Sequence, residues 1–212
     1  MNIPLRAEWE NLRNTIKQIE LQIASTGSMK PTNQMCRLLI SGEDHRFRRH
    51  PGVDPVALCR AAWKTFCGSR QGASTIAMQL VRTITGRYER TWRRKLTEMI
   101  LAILLTFYKG RRQLPVLYLW VAYYGWRMNN FRQACSRLQI DPTIITEFEA
   151  AKLIARLKYP EPREECADRS LQIYRRAKHL IALANSDKGN KFRLIRGRNG
   201  TVQSCFALKR TH

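Results

Sequence analysis

The spacing of apolar residues is the feature that most constrains how this chain folds. In the first segment, apolar side chains recur three or four positions apart with charged residues between them, at Leu5, Trp9, Leu12, Ile16, Ile19 and Ile23. A segment with that period buries one face of an α-helix and leaves the other face in water. Similar spacing returns in later segments, so we expect a mainly α-helical fold.

Turn and capping residues predict where the other helices begin and end. Asp54 followed by Pro55 is typical of a helix start, an N-cap and then proline in the first turn. The expected helices cover residues 5–23, 31–40, 55–66, 75–84, 91–109, 113–124, 131–138, 146–157 and 165–184. On two of them we expect these residues to face the core: Val56, Leu58, Ala61, Ala62 and Phe66, and then Trp92, Leu96, Met99, Ile100, Ile103 and Leu104.

The pattern changes after Asn185. Residues 192–196 and 201–208 flank an Asn199-Gly200 pair, which predicts a small C-terminal β-hairpin with a tight turn. We therefore divide the chain into an N-terminal amphipathic helix or extension (1–34), a central domain (35–186) and a basic C-terminal hairpin or tail (187–212).

Charge is the strongest bulk property. The 212 residues include 38 Lys and Arg against 16 Asp and Glu, a formal net charge of +22. Such a charge attracts anionic partners and speeds their encounter. Nucleic acid, anionic lipid head groups and a pyrophosphate substrate all remain open on composition alone.

Membrane and metal signals are weak. No apolar run reaches the roughly 20 residues of a spanning helix, and residues 1–34 lack the features of a signal peptide. The six cysteines and four histidines do not have zinc-ligand spacing, so we expect no zinc site and buried, reduced thiols. The apolar set at 114–124 is expected to be core, with its excess over one face available to lipid.

Two glutamates stand out in a chain short of acidic residues. Glu43 lies in Gly42-Glu43-Asp44-His45-Arg46-Phe47, and Glu98 ends Arg94-Lys95-Leu96-Thr97-Glu98. A pair of carboxylates is the usual equipment for making or breaking a glycosidic bond. The alternative is that each is a surface acid paired with neighbouring arginines. Either interpretation fits the residues alone.

The segment between the two glutamates favours an anionic ligand. A glycine loop leads into Ser74 and Thr75, and a helix beginning there either binds a phosphate or is simply capped by a hydroxyl. Six cations then precede Glu98: Arg82, Arg87, Arg90, Arg93, Arg94 and Lys95. They are either solvated surface charge or a clamp for a diphosphate. We expect His50 to be a structural hydrogen-bonding residue.

These motifs together resemble the bacterial peptidoglycan glycosyltransferases, the transglycosylase domain of class A penicillin-binding proteins and their monofunctional relatives. The first motif is carried by Glu43, Asp44, Phe47, His50, Gly52 and Asp54. The second is similar at Gly72-Ala73-Ser74-Thr75-Ile76 and Gln79, and the third at Arg94, Lys95 and Glu98. Leu117-Tyr118-Leu119, Glu149-Ala150-Ala151-Lys152-Leu153 and Tyr174-Arg175-Arg176 resemble the later motifs more loosely.

The resemblance implies a lysozyme-like helical fold and an enzyme that polymerises lipid II into glycan strands with inversion at the anomeric carbon. Glu43 is then the general base, and Glu98 helps to stabilise the departing undecaprenyl diphosphate. The substrate-binding residues it implies are Asp44, Phe47, Ser74, Thr75, Gln79, Arg82, Arg90, Arg94 and Lys95. A divalent cation, Mg or Mn, often assists in this family, although no metal ligand is identifiable here.

The resemblance also implies partners and a location. Lipid II, the growing glycan strand and an anionic membrane surface are expected partners, at the periplasmic face of the inner membrane; no nucleic acid is expected. Two departures bear on activity: Met78 replaces a glutamine and Trp120 replaces an asparagine of the family pattern. The main alternative is a weakly active or inactive relative that binds lipid II or cell-wall and division proteins as a scaffold. A lysozyme-like hydrolase and a nucleic-acid-binding protein are the others.

Overall fold

The computed structural model describes residues 4–68 and 72–199, with side chains up to residue 187. Over those residues the chain is α-helical, with one short 3-10 turn at Phe47–Arg49 and no β-sheet. The helices are α1 (Leu5–Ser25), α2 (Asn33–Glu43), α3 (Pro55–Phe66), α4 (Ile76–Thr85), α5 (Trp92–Lys109), α6 (Leu114–Val121), α7 (Phe131–Leu138), α8 (Glu147–Ala155) and α9 (Ala167–Asn199). The prediction of a mainly helical fold is confirmed.

Side-chain caps explain why most helices start where they do. Asp54 accepts hydrogen bonds from the backbone N–H groups of Val56 and Ala57, as an N-cap before proline should. Thr75 caps α4 in the same way through Met78 N–H. Thr146 and Glu149 form a reciprocal capping box at the start of α8. The predicted helix starts are therefore close to the observed ones.

The core lies where the central helices meet. α4 packs against α5 and α6, while α2 and α8 pack against α9. α6 is buried on almost every side, through Leu114, Leu117, Leu119 and Trp120. This confirms that the apolar set at 114–124 is core, with Tyr123 as its exposed exception.

α1 packs onto the same core. Its residues Leu12, Ile16 and Ile19 are buried, and the helix contacts α4, α5 and α6. The amphipathic pattern therefore identified the correct face of this helix. α1 shares its core with the helices that follow. The division of the chain at residue 34 stays a prediction.

The buried faces predicted for α3 and α5 are only partly correct, because Leu58, Met99 and Ile103 pack against the core while most of the other predicted residues are exposed. On α3 only Ala57 is buried, and Phe66 is 88% exposed. α5 buries Glu98, Leu101, Ala102, Leu105 and Thr106 and leaves Trp92, Leu96 and Leu104 exposed. Apolar residues lie on more than one side of α5, so their spacing does not decide its orientation. The side of α5 that faces inward is the one that carries Glu98, whose ion pairs with Arg82, Arg94 and Lys95 compensate for its burial.

The predicted hairpin is not seen. Residues 192–196 continue α9 as helix up to Asn199, and residues 201–208 lie outside the described part of the chain. An asparagine followed by glycine is common at the end of a helix as well as in a hairpin turn. The pair is therefore compatible with either structure, and here it stands at the end of α9.

The cysteines only partly match the expectation of buried thiols. Cys135 is buried and Cys36 half-buried, and burial raises the pKa of each thiol to about 12. Cys59, Cys67 and Cys166 are exposed free thiols, so the expectation is wrong for these three. Within the described ranges, no helix combines the length and the apolar character needed to cross a membrane.

Candidate active site

Glu98 lies at the centre of a cluster of cations. Its side chain is only 3% exposed, and its two oxygens accept hydrogen bonds from Arg82, Arg94 and Lys95. Arg82 Nη2 lies 2.8 Å and Lys95 Nζ 2.9 Å from Oε1, while Arg82 Nε lies 3.1 Å from Oε2. We call these four residues the Glu98 cluster. With three cations against one carboxylate, the cluster keeps a net positive charge.

The pKa values in the cluster follow from burial and from these contacts. Burial alone would raise the pKa of Glu98, but the hydrogen bonds from Arg82 and Lys95 outweigh it and lower that pKa. The hydrogen bond between Arg82 and Glu98 also raises the pKa of Arg82. Lys95 differs, because burial and the neighbouring guanidinium groups lower its pKa despite its bond to Glu98. Glu98 is therefore held as a carboxylate and is poorly suited to exchange protons.

Ser74 connects this cluster to the start of α4. Its hydroxyl oxygen accepts hydrogen bonds from Arg82 Nη2 and Lys95 Nζ, both at 3.2 Å. The adjacent N-terminus of α4 is largely occupied, because Thr75 accepts from Met78 N–H and Asp44 accepts from Ile76 N–H. The structure thus shows Thr75 as an ordinary N-cap. A phosphate-binding role for Ser74 and Thr75 stays a prediction.

Glu43 has a different environment at the end of α2. Its side chain is 24% exposed, and Arg176 Nη2 donates to its Oε1 at 3.0 Å. Gln79 Nε2 donates to Oε2 at 3.4 Å. One cation and one amide thus orient the carboxylate while part of it remains accessible. A group placed in this way can take a proton from a bound hydroxyl.

α9 approaches Glu43 very closely, which Gly42 permits. Arg176 Nη2 also donates to the Gly42 carbonyl oxygen at 2.9 Å. A Cβ atom at Gly42 would lie 2.2 Å from Leu180 Cδ2, so a larger residue would require the Leu180 side chain to move. The close contact of α2 with α9 therefore sets the position of the guanidinium group on Glu43.

Asp44, Phe47 and His50 form a buried group next to Glu43 in the chain. Gly52 N–H donates to His50 Nδ1, so Nε2 carries the proton and donates to Asp44 Oδ1 at 2.8 Å. Phe47 packs edge-on against the His50 ring. The structural interpretation of His50 is confirmed. The described contacts of Asp44 and Phe47 are with protein groups, and their substrate-binding role remains a prediction.

Gly52 allows this buried group to lie directly against α5. Its φ of +108° is in a region that L-residues rarely adopt, and a Cβ atom there would lie 2.5 Å from the Ala102 carbonyl oxygen. Thr75 also donates its hydroxyl proton to the Gly52 carbonyl oxygen. The first motif, α4 and α5 are therefore locked together at this point.

Of the remaining predicted site residues, three contact one of the two glutamates and Arg90 contacts neither. Arg90 is exposed in the loop between α4 and α5, and the described side chains include no acidic partner for it. Arg94 and Lys95 lie in the Glu98 cluster, and Gln79 lies on Glu43. Arg176 was not among the predicted site residues, although Arg176 lies in the last loosely matching motif.

The two departures from the family pattern point into the core. Met78 is fully buried in α4. Trp120 is buried, packs near Phe131 with ring centroids 6.1 Å apart, and donates its indole N–H to Gln22 of α1 at 3.4 Å. Neither side chain contacts Glu43 or Glu98 through a described hydrogen bond. Their replacement therefore alters packing, including the contact with α1.

The residues around Glu98 do not by themselves fit a divalent cation. Both carboxylate oxygens already accept from cations, which would repel a metal ion. Nor do the described residues contain a group of three His, Cys, Asp or Glu side chains close enough to hold one. An assisting Mg or Mn ion stays a prediction.

Comparison with known proteins identifies the family. The sequence model of the family described as Transglycosylase matches residues 10–184, which is most of the chain. The chain therefore belongs to the transglycosylase family of peptidoglycan glycosyltransferases, and the resemblance inferred from its motifs is confirmed.

Individual relatives are similar over shorter segments. Penicillin-binding protein 1A of Escherichia coli (strain K12) is 43% identical over 96 residues, which cover 44% of this chain and 11% of that protein. The biosynthetic peptidoglycan transglycosylase of Alcanivorax borkumensis is 30% identical over 127 residues, covering 58% and 52%. The biosynthetic peptidoglycan transglycosylase of Nitrosomonas eutropha is 34% identical over 97 residues, which cover 44% of this chain and 39% of that protein. The aligned segments thus span no more than about half of these relatives' lengths.

Proposed function

We propose that this protein is a peptidoglycan glycosyltransferase that polymerises lipid II into glycan strands with inversion. The observation that carries the proposal is the contrast between its two carboxylates. Glu43 is accessible and contacts one cation, whereas Glu98 is buried beneath three. A glycosyl transfer with a diphosphate leaving group needs a base at one end of the reaction and cations at the other.

In the proposed reaction, Glu43 takes the proton from the 4-hydroxyl of the acceptor sugar. The freed oxygen attacks the anomeric carbon of the donor from the face opposite the leaving group. A new carbon–oxygen bond forms there as the bond to the diphosphate breaks. The electron pair leaves with the phosphate oxygen, and the proton remains on Glu43 until it passes to solvent.

The Glu98 cluster supports the leaving group through its cations. Arg82, Arg94 and Lys95 offer positive charge to the oxygen that becomes negative as the bond breaks. The Glu98 carboxylate would itself repel a diphosphate, so its contribution is to hold the three cations in place. Preorganised charges of this kind need little rearrangement when the reaction occurs.

Exposed apolar side chains support a lipid-linked substrate at a membrane surface. α3 exposes Trp63 and Phe66, and α5 exposes Trp92, Leu96 and Phe107. With a net charge of +22, the protein is also attracted to anionic head groups. Action at the periplasmic face of the inner membrane is part of this proposal.

The test is glycan-strand formation from labelled lipid II in detergent, with and without a divalent cation and with EDTA as a control. Polymer formed by the protein supports the proposal. Binding of lipid II without polymer would favour the scaffold alternative, in which partners are cell-wall or division proteins. Cleavage of preformed glycan would favour a hydrolase. Salt-dependent binding to DNA, unchanged in Glu43→Gln, would favour nucleic-acid binding.

A further inference from the structure

Glu8 of α1 is a buried carboxylate close to the Glu98 cluster. It is only 8% exposed, and its Oε1 lies 2.6 Å from Arg87 Nη1. Its second oxygen, Oε2, is buried and has no hydrogen-bond partner among the described residues. Glu8 also precedes the residues that match the family, which begin at residue 10. An acid buried in this way requires a compensating contact.

Arg94 has a matching unsatisfied group on its other side. Its Nη1 donates to Glu98, but its Nε is buried and lacks a partner in the described part of the chain. Glu8, Arg87, Arg94 and Glu98 line one small cavity with a volume of about 10 Å³. That is roughly the space one water molecule needs, and a buried water usually joins otherwise unsatisfied polar groups.

We propose that Glu8 is a positioning residue that orients Arg94 through one bridging water. The water accepts a hydrogen bond from the Arg94 Nε–H group and donates one to Glu8 Oε2, which satisfies both buried groups. Arg87 fixes the other oxygen of Glu8. The first turn of α1 thereby helps to orient Arg94 in the Glu98 cluster. The N-terminal helix then contributes to binding the leaving group.

The inference rests on the proposed function, because orienting Arg94 matters when that residue faces a diphosphate. Two possible roles of Glu8 predict opposite changes in anion affinity when Glu8 is replaced. If Glu8 acted only as a nearby negative charge, its removal would strengthen the binding of an anion. If it orients Arg94, its removal weakens binding, since the guanidinium loses its fixed geometry.

The experiment compares the full-length parent with Glu8→Leu, Glu8→Gln and Glu20→Leu. Glu20 is the control, because its Oε2 lies 2.6 Å from Lys109 Nζ and also joins α1 to α5. The readouts are the affinity for inorganic pyrophosphate by calorimetry, kcat and KM with lipid II, and thermal unfolding. A structure of the parent at high resolution would show whether the bridging water is present.

We expect Glu8→Leu to bind pyrophosphate about tenfold more weakly and to lower kcat by about tenfold with little change in KM. Glu8→Gln keeps an acceptor and should lie between the two, whereas Glu20→Leu should match the parent in affinity and kcat. Should Glu8→Leu fail to fold, Glu8→Gln still decides the comparison with the control.

Unchanged or tighter pyrophosphate binding by the folded Glu8 variants would overturn the inference, as would a parent that binds no pyrophosphate. A parent that binds pyrophosphate but forms no glycan would contradict the proposed function, and the affinities would still decide the role of Glu8.

Discussion

The two glutamates of this protein carry the same side chain in opposite environments. Glu98 is 3% exposed and contacts Arg82, Arg94 and Lys95, whereas Glu43 is 24% exposed and contacts Arg176 and Gln79. Three cations surround Glu98 and favour its charged form. One cation and one amide hold Glu43 in position and leave part of it free for a ligand.

The difference shows how one fold can give two carboxylates separate tasks. Glu98 contacts cations on α4 and α5 that lie close to it in the chain, in keeping with its proposed role of holding those cations together. Glu43 is joined to Arg176, which lies 133 positions away on α9. Its geometry therefore depends on the packing of the whole domain. Each experiment below tests one side of this contrast.

Among the residues that hold charge in place around the two glutamates, Glu98 should have the largest effect when it is replaced. In Glu98→Gln three partly buried cations lose their carboxylate, so we expect the polymerisation rate to fall by about 10²- to 10³-fold. The free energy of unfolding should fall by about 3 kcal/mol, measured in urea. Glu161→Gln is the control, because it weakens a 2.6 Å ion pair with Arg156 outside the cluster. An equal loss of rate in the control would contradict a specific role for Glu98.

Replacing Arg82 should be next in size. Arg82→Leu removes a guanidinium group that contacts both oxygens of Glu98 and the hydroxyl of Ser74, and we expect the rate to fall by about 10²-fold. Arg112→Leu is the matched control, since Arg112 is exposed between α5 and α6, lies outside the predicted site residues and has no ion pair with a described side chain. Equal losses would show that total charge, rather than the geometry of the cluster, matters.

Replacing Arg176 tests the other side of the comparison. Arg176→Leu leaves Glu43 with Gln79 as its remaining described partner, so we expect kcat to fall by about tenfold through loss of orientation. Arg175→Leu, which changes the exposed neighbour on α9, should keep the parental rate. If Arg176→Leu also kept that rate, Glu43 would not need Arg176 to hold its position.

The smallest expected effect is a dependence of stability on pH. The folded pKa of Glu98 lies below its ordinary value of 4.5, so the unfolded chain binds this proton first as the pH falls. The stabilisation by Glu98 is therefore complete above about pH 4.5 and is lost as the pH falls through the lower folded pKa.

Urea unfolding of the parent and of Glu98→Gln, from about pH 7 to about pH 3, would measure this effect. The stability difference between them should be constant near neutral pH and shrink in acid. A difference that grew in acid would mean that Glu98 is not held as a carboxylate.

Sequence patterns predicted the parts of this fold that depend on neighbouring residues. The caps at Asp54, Thr75 and Thr146 act on N–H groups within a few positions, and the buried face of α1 follows from a regular apolar spacing. On α5 apolar residues occur on several sides, and the side that faces inward is the one that carries Glu98. That choice depends on tertiary contacts with Arg82, which the spacing does not encode.

The candidate site was predictable only where its residues lie in compact motifs. Glu43, Glu98, Arg82, Arg94 and Lys95 were predicted in this way, and their roles stay predictions. Arg176 lies in the last, loosely matching motif and Glu8 precedes the first motif, and both reach the site because α9 and α1 pack beside it. A search for charged residues buried on distant helices would have found them only with the topology in hand.

The central claim is that Glu43, and not Glu98, moves the proton. The most direct test is the rate of glycan formation from labelled lipid II by Glu43→Gln, together with its urea unfolding curve. We predict unfolding close to that of the parent and a rate lower by about 10³-fold, since a general base contributes roughly that much. A well-folded Glu43→Gln protein that polymerised within about tenfold of the parental rate would contradict the account.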